Sequence, residues 1–182
     1  ADVEGAKTAV SAADSEVERL GALVQDFLQF ARPHPLRLAR VDLRRTLEST
    51  ISLLRPEASS RGVALRLEPG AETLVEIDEE KIKQVLLNLV RNAIEASGDR
   101  GHVELSLNAD GAQVQLVVRD DGPGVENDAP IFEPFFTTKE QGTGLGLAIV
   151  HRIVMDHGGQ VAVQSTPGDT RFSVSLPRTR AG

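Results

Sequence analysis

The stretch between residues 120 and 147 decides the fold: it reads DDGPG at 120–124, IFEPFFTTK at 131–139 and GTGLGL at 142–147. Two glycine clusters flank an aromatic and basic segment, and an apolar run of helical character follows. Glycine has no Cβ, so the backbone at both clusters can approach a phosphate closely. A helix that begins directly after glycines also presents free N–H groups to an anion. The stretch therefore predicts a nucleotide site closed by a mobile lid.

The composition narrows the class of protein. The chain has 182 residues, enough for one domain with an appendage or for two small domains. It contains no cysteine, which excludes disulfides and thiolate metal sites. The net charge is −7, the basic residues form no dense block, and the aromatic residues are six Phe. We therefore expect no nucleic-acid binding. No apolar run is long enough to span a bilayer.

The first 31 residues carry an unbroken heptad pattern. Nine apolar positions alternate by three and four residues: Val3, Ala6, Val10, Ala13, Val17, Leu20, Val24, Phe27 and Ala31. This period predicts a long coiled-coil-like helix that packs at a shallow angle. We interpret the stripe over residues 3–31 as the seam of a homodimer; the alternative is packing against its own domain. Pro33-His34-Pro35 ends the helix and opens a linker over 33–41.

The remainder predicts helices and short antiparallel strands in blocks. Expected helices cover about 42–60, 78–96 and 144–157, and expected strands cover about 63–67, 73–77, 102–108, 113–119, 160–165 and 171–176. Strands 63–67 and 73–77 are predicted to form a hairpin, and Asp110-Gly111 marks a second hairpin. The pattern predicts an α+β fold, a two-layer sandwich of a mostly antiparallel mixed sheet covered by helices.

The helix predicted over 78–96 carries polar side chains on one face. Asn88, Asn92 and Glu95 are four and three residues apart, so they lie together. Beside a phosphate pocket, amide oxygens suit Mg²⁺, which takes one or two protein oxygens together with waters and phosphates. The alternative is that both asparagines are surface positions or local caps. No role is assigned to Glu95.

Asp120 ends a predicted strand just before the first glycine cluster. An ionised carboxylate only accepts hydrogen bonds. At the base of a pocket it would accept from the exocyclic amine of adenine and select against guanine. The alternative is a turn residue, because Asp-Gly pairs are common in turns.

Taken in order, these motifs resemble the catalytic ATP-binding domain of bacterial sensor histidine kinases, in the Bergerat-fold superfamily. The N box matches 88–92, the first glycine box begins at Asp120, the phenylalanine box matches 132–136 and the second glycine box matches 142–146. The closing Gly-x-Thr-x-Phe motif matches 168–172, and residues 19–33 resemble the second helix of the dimerisation hairpin. The resemblance covers about residues 14–177.

The resemblance implies a set of site residues. Catalytic roles fall to Asn88, Asn92 and Lys139, with Mg²⁺ held by Asn92. ATP contacts fall to Asn88, Asn92, Asp120, Gly122, Gly124, Lys139, Gly142, Thr143, Gly144, Leu145, Gly146, Leu147 and Thr170. Phe132, Phe135 and Phe136 are expected to form either core or a hydrophobic latch, and we favour the latch.

The resemblance also implies a reaction: the ATP γ-phosphoryl group passes to a histidine and then to the receiver domain of a response regulator. None of the four histidines lies in the family's phosphoacceptor motif. We expect a fragment of a larger kinase; the alternative is an acceptor on another polypeptide. The expected division is 1–32 dimerisation helix, 33–41 linker and 42–182 catalytic domain. The expected localisation is cytoplasmic, including the cytosolic part of a membrane-anchored sensor.

Three rival functions remain open. A hydrolase of the same superfamily would place a glutamate where this chain has Asn88, and a neutral amide is a poor general base. A serine kinase of the anti-sigma type lacks the long heptad helix. A nucleotide-binding scaffold that has lost phosphoryl transfer would need degenerate motifs, and these motifs are intact.

Overall fold

The computed structural model describes residues 35–126, 128–139 and 142–179, together with positions 10, 17, 21 and 24. Within these ranges the elements follow in this order: β1 (Ala39–Asp42), α1 (Leu43–Ser60), β2 (Ala64–Leu67), β3 (Leu74–Ile77), α2 (Glu79–Ser97), β4 (His102–Asp110), β5 (Gln113–Asp120), α3 (Gly146–Asp156), β6 (Gln160–Thr166) and β7 (Asp169–Pro177). This order confirms the predicted α+β fold.

The predicted helix over 3–31 lies outside the described residues except at four positions, all of which are helical. Val10, Val17 and Val24, which belong to the predicted seam, are exposed. The dimer through this seam stays a prediction.

The main sheet has five strands in the order β2-β4-β5-β7-β6. Strands β2 and β4 are parallel, and the other neighbours are antiparallel. The predicted hairpin at Asp110-Gly111 is confirmed, because β4 and β5 pair from Asp110 opposite Gln113 onward. The mixed, mostly antiparallel sheet is therefore the one expected from the sequence.

The predicted hairpin between 63–67 and 73–77 is wrong. Strand β3 pairs instead with β1, a strand that was not expected and that includes residues assigned to the linker. The cause lies in the loop between β2 and β3, which is fastened to the start of α1. Asp42 Oδ1 accepts from the Thr73 N–H at 3.1 Å, and Arg44 Nη1 donates to the Glu68 carbonyl at 2.5 Å. These bonds draw β3 away from β2 and beside β1.

Two aspartates start the first two helices, as their positions predict. Asp42 caps α1 by accepting from the Arg44 N–H, and Asp78 caps α2 by accepting from the Lys81 N–H. Pro56 lies inside α1, which nevertheless continues to Ser60. The apolar faces of the helices bury against the sheet in one core that includes Leu47, Leu89 and Leu116. No helix among the described residues is both long and apolar enough to cross a membrane.

A buried histidine fixes the two site-bearing helices relative to each other. His157 follows α3, and its Nε2 accepts the backbone N–H of Asp78 at 3.0 Å. This requires a neutral ring whose Nδ1 carries the proton, and Nδ1 lies 2.7 Å from the Ile153 carbonyl oxygen that receives it. Asp78 Oδ2 also accepts the backbone N–H of Arg37. The end of α3, the start of α2 and the chain leading into β1 therefore meet at one point.

Candidate active site

Asn88 connects α2 to the second glycine cluster. Its Nδ2 donates to the carbonyl of Gly146, the first residue of α3, at 3.2 Å. A carbonyl only accepts, so this contact fixes which end of the amide faces Gly146. Asn88 thus holds the start of α3 in place, and its Oδ1 takes no part in this contact.

Asn92, one turn further along α2, faces a cation. Lys139 of the aromatic segment (residues 131–139) donates from Nζ to Asn92 Oδ1 at 3.0 Å and forms an ion pair with Glu95. The structure therefore brings together Lys139 and the oxygen predicted to bind Mg²⁺. Glu95, which received no role from the sequence, is the anionic partner of this lysine.

The chemistry of these donors fits Mg²⁺. The amide oxygen of Asn92 already accepts from a positively charged group, so its environment suits a cation. The described residues form no group of three or more His, Cys, Asp or Glu side chains suited to a metal ion. Magnesium would be held by one or two amide oxygens together with phosphates and waters.

Asp120 is the last residue of β5 and directly precedes the first glycine cluster. It is 3% exposed, and its Oδ1 accepts the Gly122 N–H at 3.0 Å. Burial raises its pKa to about 6; the Gly122 hydrogen bond opposes this shift, and the nearby Asp121 and Asp169 add to it. Within the described part of the chain Oδ2 has no hydrogen bond. It is the atom that remains for the amine of a base.

Gly122 allows the first glycine cluster to pack against α2. A Cβ at this position would lie 2.8 Å from the Ala96 carbonyl oxygen and 2.9 Å from the Ala96 Cβ. Any side chain would push the chain that follows Asp120 away from the helix. Ala96 lies four residues after Asn92, so both face the same side of α2.

Gly144 and Phe135 form the tightest backbone contact in the second glycine cluster. The Phe135 N–H donates to the Gly144 carbonyl at 3.0 Å, and both residues have positive φ, +67° and +68°. A Cβ at Gly144 would lie 2.4–2.7 Å from the Phe135 backbone. A positive φ costs a phenylalanine free energy, and such residues concentrate at functional sites.

The helix that follows this cluster begins without a side-chain cap. Leu145 is buried and its N–H lies 3.3 Å from Thr143 Oγ1. Among the described residues, the cap position Leu145 has no side-chain cap hydrogen bond to α3, which starts at Gly146. The N–H groups of Gly146 and Leu147 lie at this helix start, where an anion can bind, and their contact with phosphate stays a prediction.

The three phenylalanines do not form one group. Phe132 and Phe136 are partly buried against the core, and Phe132 lies 5.7 Å from the His151 ring. Phe135 is 59% exposed. The latch predicted for all three is thus reduced to Phe135, and the other two follow the core alternative.

Thr170 and Ser165 complete the buried end of the pocket. Thr170 is 3% exposed and lies opposite Asp120 in the β5–β7 register. Its Oγ1 is 2.9 Å from Ser165 Oγ. Sequence analysis missed Ser165, because a serine in an alternating strand carries no signal of its own.

Comparison with known proteins shows which family the chain resembles. A family model described as histidine kinase-, DNA gyrase B- and HSP90-like ATPase matches residues 77–180. The sensor histidine kinase ZraS of Escherichia coli (strain K12) is 43% identical over 168 residues, which cover 89% of this chain. This chain spans only 36% of the length of ZraS.

Solved structures of histidine kinases are also similar to this chain. The nucleotide-free catalytic domain of histidine kinase ThkA has a TM-score of 0.74 and 33% identity, covering 79% of this chain and 97% of that one. ThkA in complex with the response regulator protein TrrA gives a TM-score of 0.80 at 29% identity, covering 91% of this chain and 49% of that one. Full-length ShkA in complex with AMPPNP gives a TM-score of 0.82 at 35% identity, covering 97% of this chain and 39% of that one.

The matched family model spans more than half of the chain, and the ThkA domain is matched over nearly its whole length. This chain therefore belongs to the family of histidine kinase-, DNA gyrase B- and HSP90-like ATPases, with a catalytic domain of the histidine kinase type.

Proposed function

We propose that this chain is the ATP-binding catalytic part of a two-component sensor histidine kinase. It transfers the γ-phosphoryl group of ATP to a histidine outside this chain, for onward transfer to the receiver domain of a response regulator. Residues 1–32 would form the second helix of the dimerisation hairpin, 33–41 a linker and 42–182 the catalytic domain. The homodimer through residues 3–31 and a cytoplasmic location belong to the same proposal.

One observation carries the proposal. One face of α2 carries three residues spaced four apart, and each contacts a different segment of the proposed nucleotide site. Asn88 contacts Gly146 of the second glycine cluster, Asn92 contacts Lys139, and Ala96 contacts Gly122 of the first glycine cluster. A nucleotide laid along this face would have its base near Asp120 and its terminal phosphate near Lys139.

Each residue then has a chemical task. Asp120 Oδ2 accepts from the adenine amine, and Thr170 lies beside it. The open N–H groups at the start of α3 bind phosphate oxygens, and Lys139 offsets charge at the γ-phosphate. Asn92, with Asn88 nearby, would hold Mg²⁺, which supplies charge neutralisation across the phosphates when bound. A neutral imidazole nitrogen of the acceptor attacks the γ-phosphorus while the bond to the ADP oxygen breaks.

The hydrolase alternative lacks a general base at the required position. Asn88 stands where that class has glutamate, and its amide is neutral and engaged with Gly146. Glu95 is a carboxylate close to the site, but its charge is matched by Lys139. Phosphoryl transfer to a protein nucleophile is therefore favoured over attack by water.

The response regulator has support from a relative. ThkA, whose structure resembles this chain, has been solved with the response regulator protein TrrA. For this chain the receiver domain is a proposed partner, as is the helix that carries the phosphoacceptor histidine.

The test is a transfer assay in two components. The chain is mixed with ATP labelled at the γ-phosphate, Mg²⁺ and a separate dimerisation hairpin that carries a phosphoacceptor histidine. We expect an acid-labile, alkali-stable label on the hairpin, absent from a hairpin with His→Gln at the acceptor. Acid-stable label would indicate the serine kinase, and rapid phosphate release without a labelled protein would indicate the hydrolase. Tight ATP binding with neither would indicate the scaffold.

A further inference from the structure

The predicted lid lies between the two glycine clusters, and its start is hydrogen-bonded to β6 and to the turn between β6 and β7. We call residues 122–125 the lid root. The Gly168 N–H donates to the Gly122 carbonyl at 2.8 Å, and the Val125 N–H donates to Ser165 Oγ at 2.8 Å. A Cβ at Gly124 would lie 3.1 Å from Ser165 Oγ. Ser165 thus supports the lid root with a side-chain atom, which a substitution can remove without changing the backbone.

The same oxygen also contacts the floor of the adenine end. Ser165 Oγ and Thr170 Oγ1 are 2.9 Å apart. Across three neighbouring strands Asp120 lies opposite Thr170, and Thr170 lies opposite Ser165. Residues paired in this way share one face of a sheet. Asp120, Thr170 and Ser165 therefore form a row that starts at the base and ends at the lid root.

The hydroxyl protons give this row a direction. Ser165 Oγ accepts from Val125, and one proton lies between Ser165 and Thr170. If Thr170 were the donor, the Ser165 hydroxyl would accept two hydrogen bonds, from Val125 and from Thr170. If Ser165 is the donor, the Thr170 hydroxyl proton is left for an acceptor on a ligand. A ligand acceptor at the floor favours the second arrangement, in which Ser165 receives from the lid root and donates toward the base.

We infer that Ser165 is a positioning residue that couples adenine occupancy to the lid root. This inference rests on the proposed nucleotide site. A base that engages Thr170 fixes the Ser165 hydroxyl, and the fixed hydroxyl holds Val125 where the lid begins. Loss of the hydroxyl removes both effects, although Ser165 itself touches no substrate atom.

The experiment compares Ser165→Ala with Ser165→Thr, which keeps the hydroxyl, and with Thr166→Ala, which removes an exposed hydroxyl one residue away. Calorimetry measures ATP and adenosine affinity, and hydrogen exchange measures the Val125 amide with and without saturating ATP. Ser165→Ala should weaken binding of ATP and of adenosine by about tenfold, the effect of one lost hydrogen bond. Its Val125 amide should exchange faster without nucleotide and should stay unprotected at saturating ATP. Ser165→Thr and Thr166→Ala should behave as the parent chain.

The two proposals fail separately. If the parent chain binds no adenine nucleotide, the proposed function fails, and Val125 exchange in the nucleotide-free protein still tests the hydrogen bond. If the parent binds ATP and Ser165→Ala keeps the same affinity and the same Val125 protection, the coupling is overturned. Weaker ATP binding with full Val125 protection at saturation would also overturn it, because Ser165 would then serve the base alone.

Discussion

The two ends of the pocket are built differently. At the adenine end Asp120 and Thr170 are buried, and backbone N–H groups and short hydroxyls hold them in place. At the phosphate end the contacts come from exposed groups: the Lys139 side chain is 44% exposed and that of Glu95 is 35% exposed. Short, buried groups lose little entropy when a ligand arrives, whereas a long lysine can change partners. The comparison indicates that the surface proposed to bind the base is preformed and that the one proposed to bind the phosphates is adaptable.

Phe135 extends this contrast. It is exposed and has positive φ, and it is held by one backbone bond to Gly144. Such local strain is tolerated where a segment must change conformation. Asp120, in contrast, is the last residue of a strand and does not have positive φ.

The largest effect should come from Lys139→Met. This change removes the cation from the phosphate end, so we expect the transfer rate at saturating ATP to fall by about 100-fold, the usual cost of losing one donor to a developing charge. ATP affinity should change by less than about threefold, because the lost phosphate contact is offset by the lost ion pair with Glu95. Single-turnover transfer and calorimetry measure the two quantities.

Lys83→Met is the matched control for this change. Lys83 also forms an ion pair with a glutamate of α2, because its Nζ lies 3.0 Å from Glu79 Oε1. It should alter neither quantity. A large loss of affinity in Lys139→Met with an unchanged rate would show that the phosphate end binds rather than activates, and the contrast between the two ends would not hold.

Asp120→Asn should produce the opposite pattern. The amide presents an N–H₂ group or a weaker acceptor to the adenine amine, so ATP affinity should fall by about 1–3 kcal/mol, or roughly 5–150-fold. At saturating ATP the transfer rate should stay within a few-fold of the parent. Asp121→Asn is the control, since Asp121 is exposed and bonds to His102 rather than to the pocket. Equal loss in both variants would remove Asp120 from the site.

The pH dependence tests the same carboxylate without a mutation. Burial raises the pKa of Asp120 to about 6, and its ionised form is the stronger acceptor for the adenine amine. Affinity should therefore be constant above that pKa and fall below it, by up to about tenfold between about pH 7 and pH 5. Adenosine is the ligand to use, because a phosphate itself titrates near about pH 6. Circular dichroism at both pH values controls for folding, and a flat profile would mean that the carboxylate does not meet the amine.

Most of the fold follows from local patterns, and the exception is instructive. The helix starts near Asp42 and Asp78, the second hairpin and the helix after the second glycine cluster were predicted because each signal lies within a few residues. The partner of β3 was not, because it depends on the bonds from Asp42 and Arg44 to a loop about thirty residues away. A strand of four residues carries no register information of its own, so such distant contacts decide its partner.

The site divides in the same way. Asn92 and Asp120 were predicted because residue type, spacing and family resemblance agree, and Lys139 was predicted from the family resemblance. Glu95 and Ser165 were not assigned roles, since each acts through a contact with a residue at least five positions away. The different exposure of Phe135 and of Phe132 and Phe136 could not be predicted from the sequence, because it depends on the backbone conformation: Phe135 has positive φ.

The smallest effect should come from Glu95→Gln, and it probes how adaptable the phosphate end is. An exposed ion pair contributes at most about 1 kcal/mol, so the nucleotide-free segment around Lys139 should exchange its amides only a few-fold faster. ATP affinity should rise by up to about twofold, because Lys139 no longer has to leave Glu95 to reach a phosphate. Glu57→Gln, which breaks the exposed pair with Arg91 on α2, is the matched control. A tenfold loss of ATP affinity in Glu95→Gln alone would mean that this carboxylate contacts the nucleotide or its metal directly, and the phosphate end would then be as preformed as the adenine end.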